Sequence, residues 1–293
     1  MPDTHSGNRN TGGPVWPGGA SKQGPHRIGS FCTCPQLEAF SQEMYLRPII
    51  EKDHTKIGTL VHVGLAYRYA ALLQQKPDWL VYADGRTAIW TCGQDRPELR
   101  EVALYIFDAY VAHWGQPLWV PVLVEHQFEI ALEGEPYTAR LDLLAWDHAE
   151  GGYVLVDHKS KGYIKRETGY EYRADRQMLT QLALARFYGY DIKRVIINAM
   201  TRPKANKLGF YDLQNFTPKF ARFPVPISAI AYGRLWEDTV WALRNMKAVR
   251  AAYPDPMSRP RVYESCLRVY GPCDFVSLCT EGPDKLVDFV RRD

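Results

Sequence analysis

At 293 residues, 46% apolar and 24% charged, the chain has an ordinary globular composition and enough length to bury a sizeable core. Its formal net charge of +3 is too small to argue for a polyanionic partner by itself. No apolar run approaches the ~18 residues of a membrane span and no apolar signal core opens the chain. A soluble, cytoplasmic protein is therefore expected, in which six cysteines favour metal ligation or free thiols over disulfides.

Residues 1–27 are rich in Gly, Pro, Ser and Asn and read as a disordered tail ahead of one domain, 28–293. Cys32, Cys34 and Pro35 lead into a helix from Pro35 to about Tyr45. The next helix spans Gly58 to about Gln74, with Leu65, Ala66, Tyr69, Leu72 and Leu73 as its core stripe. His62 falls on that stripe, and taken alone reads as a hydrogen-bonded core histidine. Pro77 to Arg96, which includes Cys92, reads as irregular, and Pro97 to Trp114 as an amphipathic helix. An extended run from Leu118 to Leu132 carries Pro121, which argues for a bulge or an edge, and Glu125.

The densest chemistry lies between Ala139 and Lys161. Two apolar strands, Leu141 to Trp146 and Tyr153 to Val156, flank a turn-forming Asp147 to Gly152. A hairpin centred between Ala149 and Glu150 sets Asp142 opposite Asp157, and strand period two puts Lys159 on the face of Asp157. Opposed carboxylates repel unless a cation sits between them, and Mg²⁺ or Mn²⁺ suits a hydrated, oxygen-rich site. The expected chemistry is metal-assisted phosphodiester hydrolysis, with the Lys159 ammonium stabilising developing negative charge.

Beyond the hairpin the chain turns basic. Between Asp157 and Lys207 there are twelve Lys or Arg against five acids, interleaved with Tyr163, Tyr170, Tyr172, Tyr188 and Tyr190. Cations that track phosphates and aromatics that stack bases suit a strand-binding groove. A helix over Glu171 to Tyr190 carries Gln177 and Gln181 on one face. A strand over Lys193 to Met200 follows that crossover helix, an α/β connection. A ribbon-like segment (Leu208 to Pro224), a long helix (about Ile227 to Tyr253) and Cys266, Cys273 and Cys279 complete the chain.

In this order, Cys34, His62, Glu125, Asp142, Asp157-x-Lys159, a glutamine helix and three rear cysteines, the chain resembles the RecB-type PD-(D/E)XK nucleases. The resemblance is to their iron–sulfur branch, the AddB and CRISPR-adaptation kinds. It implies a restriction-endonuclease-like α/β fold, a central mixed sheet flanked by helices, acting as a nuclease, with exonuclease activity expected, on DNA of single-stranded character. It also implies a recombination or helicase partner. His62, Asp142 and Asp157 would ligate the catalytic ion, Lys159 would position the water, and Glu125 would stand behind the ligands. Gln177 or Gln181 would bind the phosphate or order that water. Cys34, with Cys32 as its competitor, would join Cys266, Cys273 and Cys279 on a [4Fe–4S] cluster tying 28–57 to 254–293. The six-residue gap from Cys266 to Cys273 exceeds the family's tight Cys-x2-Cys. Two other readings remain open: a non-catalytic DNA-binding subunit of the same fold, and a nuclease directed at RNA.

Overall fold

The computed structural model describes residues 23–268 and 271–291. The expected tail lies outside the described residues as far as residue 22, but its end is helical. Helix α1 (Pro25–Thr33) precedes α2 (Pro35–Glu38), which continues as a π-helical turn over Ala39–Glu43. Ile28 and Phe31 pack with Tyr137, Ala242, Leu243 and Met246, and this tertiary anchor orders a segment whose composition suggests none.

After a short strand, β1 (Leu46–Pro48), come three helices: α3 (Asp53–Leu73), α4 (Asp78–Cys92) and α5 (Pro97–Trp114). Helix α4 corrects the irregular reading of Pro77 to Arg96. Gly85, in its middle, resembles a breaker, yet it is where α3 and α4 cross. A Cβ there would come within 2.8 Å of the Gly64 carbonyl oxygen and 2.4 Å of Phe107 Cζ. The glycine is required by close helix packing rather than by a turn.

The sheet has the order β2-β3-β4-β5-β6, formed by Val120–Leu132, Glu135–Asp147, Gly152–Lys161, Ile192–Thr201 and Phe220–Pro224. β2, β3 and β4 form an antiparallel meander, and a register shift falls between Pro121 and Leu123. Leu143 opposes Val156 and Asp147 opposes Gly152, the register of a hairpin centred between Ala149 and Glu150. β5 is parallel to β4, through the crossover helix α6 (Arg176–Phe187), and β6 is antiparallel to β5. Helix α6 starts at Arg176 rather than Glu171, because Asp175 caps it by accepting the Met178 N–H. Of the expected ribbon, Phe220–Pro224 alone is a strand. Residues 202–219 form a loop that lays Tyr211, Leu213 and Phe216 against the helical layer.

Alternate strand residues enter opposite layers. Leu143, Val154, Val156, Ile196 and Met200 pack against α3 and α5, whereas Leu144, Leu155, Ile197 and Ala199 pack against α6. The architecture is thus the expected mixed α/β sheet flanked by helices. Among the described residues no helix is long and apolar enough to cross a membrane.

The two ends of the chain meet. After α7 (Ala229–Ala252) come β7 (Leu267–Arg268), β8 (Gly271–Pro272), α8 (Val276–Glu281) and β9 (Phe289–Arg291). β9 pairs with β1, and Phe40, Leu46, Phe275, Leu278 and Phe289 form a small core there. Buried Glu38 pairs with Arg27 and Arg250 at 2.9 and 2.8 Å, and Glu43 pairs with Arg250 and Arg259 at 2.5 and 2.8 Å. Burial pushes the Glu38 carboxyl up to about 7 despite these guanidinium groups.

Candidate metal centre at the strand fork

Past Leu143 and Val156 the strands β3 and β4 part. The Asp142 carboxylate stands in the fork and accepts the backbone N–H of His158 at 2.7 Å, where a ladder carbonyl would otherwise serve. On the other side, Val124–Leu143 and His126–Leu141 flank Glu125, whose φ of +48° lies in the left-handed region. That distortion re-aims Glu125 out of the regular pleat. His62 comes down from α3, its Nδ1 3.5 Å from Asp142 Oδ2. Ligand atoms of His62, Glu125 and Asp142 all lie within 4.8 Å of one another. Glu125 therefore belongs to this group itself rather than standing behind it.

Asp157 is fully buried, with Oδ2 at 2.7 Å from Lys159 Nζ and Oδ1 accepting from Gln177 Nε2 at 3.2 Å. Gln181, one turn on, is buried and donates to the Arg140 carbonyl at 2.7 Å, so it braces β3 away from the carboxylates. His62 and Lys159 side chains are 25% and 26% exposed, which places the group in a cleft that water reaches.

The electrostatics are those of carboxylates short of positive charge. Burial pushes Glu125 up to about 8, and the charges of Asp142 and Asp157 add to that. Burial pushes Asp157 up to about 7 against the pull of Lys159, with Asp142 adding repulsion. Burial acts upward on Asp142 too, but His62, His158 and Lys159 outweigh it and hold the carboxyl below its usual range. Lys159 stays above the usual lysine range, because Asp157 and Asp142 more than offset its burial. Burial lowers His62, so its imidazole is neutral with a lone pair to offer. A divalent cation among one imidazole and these oxygens would relieve the repulsion, and the donor set fits one.

Two histidines here have no counterpart in the sequence reading. His158 is buried on the α3 side, where it stacks on Tyr69 with centroids 5.6 Å apart and its Nδ1 lies 2.8 Å from Asn198 Nδ2. Burial drops its pKa to about 3. Its place between Asp157 and Lys159 was the available signal, since alternation turns it to the opposite face. His26, assigned to the tail, sits on α1 near enough to Lys159 and Asp175 to feel both charges, below the burial that lowers its pKa. No sequence pattern marks it.

Beside the fork, the residues following β4 present Tyr163 and Tyr170, both exposed. Arg173 lies 4.0 Å from the Tyr170 ring, Lys165 lies 5.2 Å from that of Tyr163, and Lys161 lies 5.1 Å from that of Tyr172. Cations and aromatics are thus paired within the segment that follows β4.

At the far end, Cys34 is buried and Cys266, Cys273 and Cys279 are partly so. The Cys273 N–H donates to the Cys266 carbonyl at 2.8 Å. Burial pushes the Cys279 thiol up to about 11 against the pull of Arg261, with Cys34, Cys273 and Cys266 contributing to the rise, so the four thiols share one neighbourhood. Cys32 is exposed and feels Arg176 instead, and Cys92 lies beside Lys56 and Asp95. Among the described residues no three thiols come within 4.8 Å of one another, wider than the ~3.8 Å that tetrahedral Zn–S bonds of about 2.3 Å impose.

No family model and no curated protein matches the chain. Among solved structures it is similar to the crystal structure of a putative exonuclease from Eubacterium rectale. The identity is 11% and the TM-score 0.53, over 89% of this chain and 88% of that one. The crystal structure of SSO0001 also matches, at 16% identity over 87% of this chain and 97% of that one, but its TM-score of 0.32 carries no argument. At 11% identity the first likeness speaks for the scaffold alone: this chain is built on the same α/β fold as the Eubacterium rectale protein.

Proposed function

We propose that the protein is a metal-dependent nuclease of the RecB-like PD-(D/E)XK type that hydrolyses DNA phosphodiester bonds as an exonuclease. The observation that carries this reading is the fork itself. Glu125, Asp142 and Asp157 come from three adjacent strands, with neutral His62 above them and Lys159 paired to Asp157 at 2.7 Å. Mg²⁺ or Mn²⁺ held by His62, Glu125 and Asp142, with Asp157 beside them, would lower the pKa of a bound water and neutralise phosphoryl charge.

The chain's own residues do the rest. Gln177 holds Asp157 from one side while Lys159 holds it from the other, so the carboxylate is oriented before a substrate arrives. The Lys159 ammonium, kept charged by Asp157 and Asp142, can stabilise the negative charge that builds on the phosphate. Tyr163, Tyr170 and Tyr172, with Lys161, Lys165 and Arg173, supply stacking faces and cations for a single strand. We infer likewise that Cys34, Cys266, Cys273 and Cys279 hold a [4Fe–4S] cluster, which would tie the chain ends together. A non-catalytic DNA-binding subunit is the rival reading, and the intact His/Asp/Asp/Lys set argues against it.

The test is incubation of the purified protein with end-labelled single- and double-stranded DNA, with and without Mn²⁺. Mn²⁺-dependent release of mononucleotides or short products is expected from wild type and not from Asp157→Ala or Lys159→Ala. Cleavage by either variant at the wild-type rate would remove the site assignment. DNA binding without cleavage would favour the rival.

A further inference from the structure

The chain leaving β5 turns over the end of β4. The Arg202 N–H donates to the Lys161 carbonyl at 2.8 Å, one residue past the last parallel pair, Lys161 with Thr201. Alternation puts Arg202 on the α3 side with Met200, opposite to Ala199. There its guanidinium is half-buried, near His54 and Tyr211. Among the described residues it forms no ion pair, and its Nε is shut off from water with no partner.

Acids in this neighbourhood are committed elsewhere. Asp53 accepts from Arg96 at 2.8 Å and from Tyr211 at 2.9 Å, and Asp274 pairs with Lys52 at 2.6 Å. A guanidinium partly withdrawn from water with no counter-ion costs stability, and burial accordingly lowers its pKa. Such a cation is poised for an anion from outside. Lys204, exposed, lies beside it. A Cβ built on Gly162 would stand 3.7 Å from Arg202 Nη1 and 4.0 Å from Lys204 Cε. Gly162 follows the last residue of β4, so the two cations stand at the same end of the sheet as Lys159, which points to the other face.

We propose that Arg202, with Lys204, forms a phosphate-binding subsite that grips the nucleic-acid backbone where the chain leaves β4 and β5. The proposal rests on the nuclease reading. The planar guanidinium fork offers paired donors to two phosphate oxygens and Lys204 adds a point charge. Gly162, lacking a side chain, leaves the surface between the two cations clear.

The test is binding of a short labelled DNA oligonucleotide to the full chain in EDTA, from 50 to 200 mM salt, for wild type, Arg202→Ala and Arg202→Lys. Losing one phosphate contact lowers the slope of log affinity against log salt by about 0.7–0.9. The wild-type advantage over Arg202→Ala then shrinks roughly threefold across that range. Arg202→Lys should keep the slope and lose part of the affinity. The melting temperature of Arg202→Ala should hold or rise, because an unpaired buried cation is gone. Arg202→Ala with wild-type affinity and slope would overturn the subsite. So would an affinity loss accompanied by a fallen melting temperature, which marks a structural guanidinium. Wild type that binds no oligonucleotide at any of these salts would instead remove the nuclease reading, and the subsite with it.

Discussion

Asp157 and Glu125 hold protons that they would release in water. Asp157 sits at about 7 against an ordinary 3.8, and Glu125 at about 8 against 4.5. A carboxyl whose folded value is raised contributes stability below its unfolded value and loses it as pH rises through the folded one. Relative to Asp157→Asn, which shares the buried histidines, the metal-free wild type should therefore lose melting temperature from pH 5 to pH 8, and Mn²⁺ at pH 8 should restore what was lost. Asp157→Asn should raise the metal-free melting temperature at pH 8 by a few degrees, on the order of 1–2 kcal/mol, and flatten the profile. A wild-type melting temperature that gains on that of the variant across the window would contradict the crowding. Burial lowers the His62 pKa against the pull of Asp142, so its imidazole gives up its proton more readily than an ordinary one. Apparent Mn²⁺ affinity should thus rise as the carboxyls ionise towards pH 8, rather than following an ordinary imidazole near 6.5.

Among the elements, α3 and α4 are locked by two glycines facing each other. Gly85→Ala would drive a methyl to 2.4 Å from Phe107 Cζ and 2.8 Å from a backbone oxygen, contacts that overpacking cannot absorb cheaply. A loss on the order of 1–3 kcal/mol is expected in a thermal or urea melt. Gly58→Ala meets Ser160 Cβ at an ordinary 3.6 Å and should be close to neutral. Equal costs for both would mean that the helices do not cross as described. The hairpin and α5 were legible in the sequence, since turn residues, strand period and Pro97 at a first turn act within a few positions. Helix α4 was not, because a mid-helix glycine counts against a helix locally and earns its place only by contact with α3. Helix α1 was hidden for the same reason: its Ile28 and Phe31 are anchored by residues more than one hundred positions away.

At the scale of the whole molecule, the fold closes on itself where β1 meets β9 and Glu38 and Glu43 meet Arg250 and Arg259. The cysteines gather at this closure, so a group bound there stabilises the joined ends. Cys273→Ser should yield protein that is colourless and melts several degrees lower, whereas Cys92→Ser, beside α5 and far from the other thiols, should change neither property much. Iron analysis of anaerobically purified wild type decides the matter: protein without iron would refute the cluster and leave the nuclease proposal standing.

By itself the sequence determined the parts set by short-range chemistry: the β2-β3-β4 meander, the β3-β4 register from Leu143 to Gly152, and the placing of Asp157 and Lys159 on one face. Strand period and a six-residue turn suffice for these, because each residue's partner is implied by its neighbours. Tertiary structure alone decided which candidates meet. Gln177 and Gln181 share a helix face in the sequence, yet one reaches Asp157 while the other spends its amide on Arg140. Cys32 and Cys34 are two residues apart, yet Cys34 alone turns to the rear cysteines. Glu125 joins the carboxylates through a left-handed backbone that no local pattern announces. A side chain's direction depends on packing across the layers, and that is fixed only when the distant elements have docked.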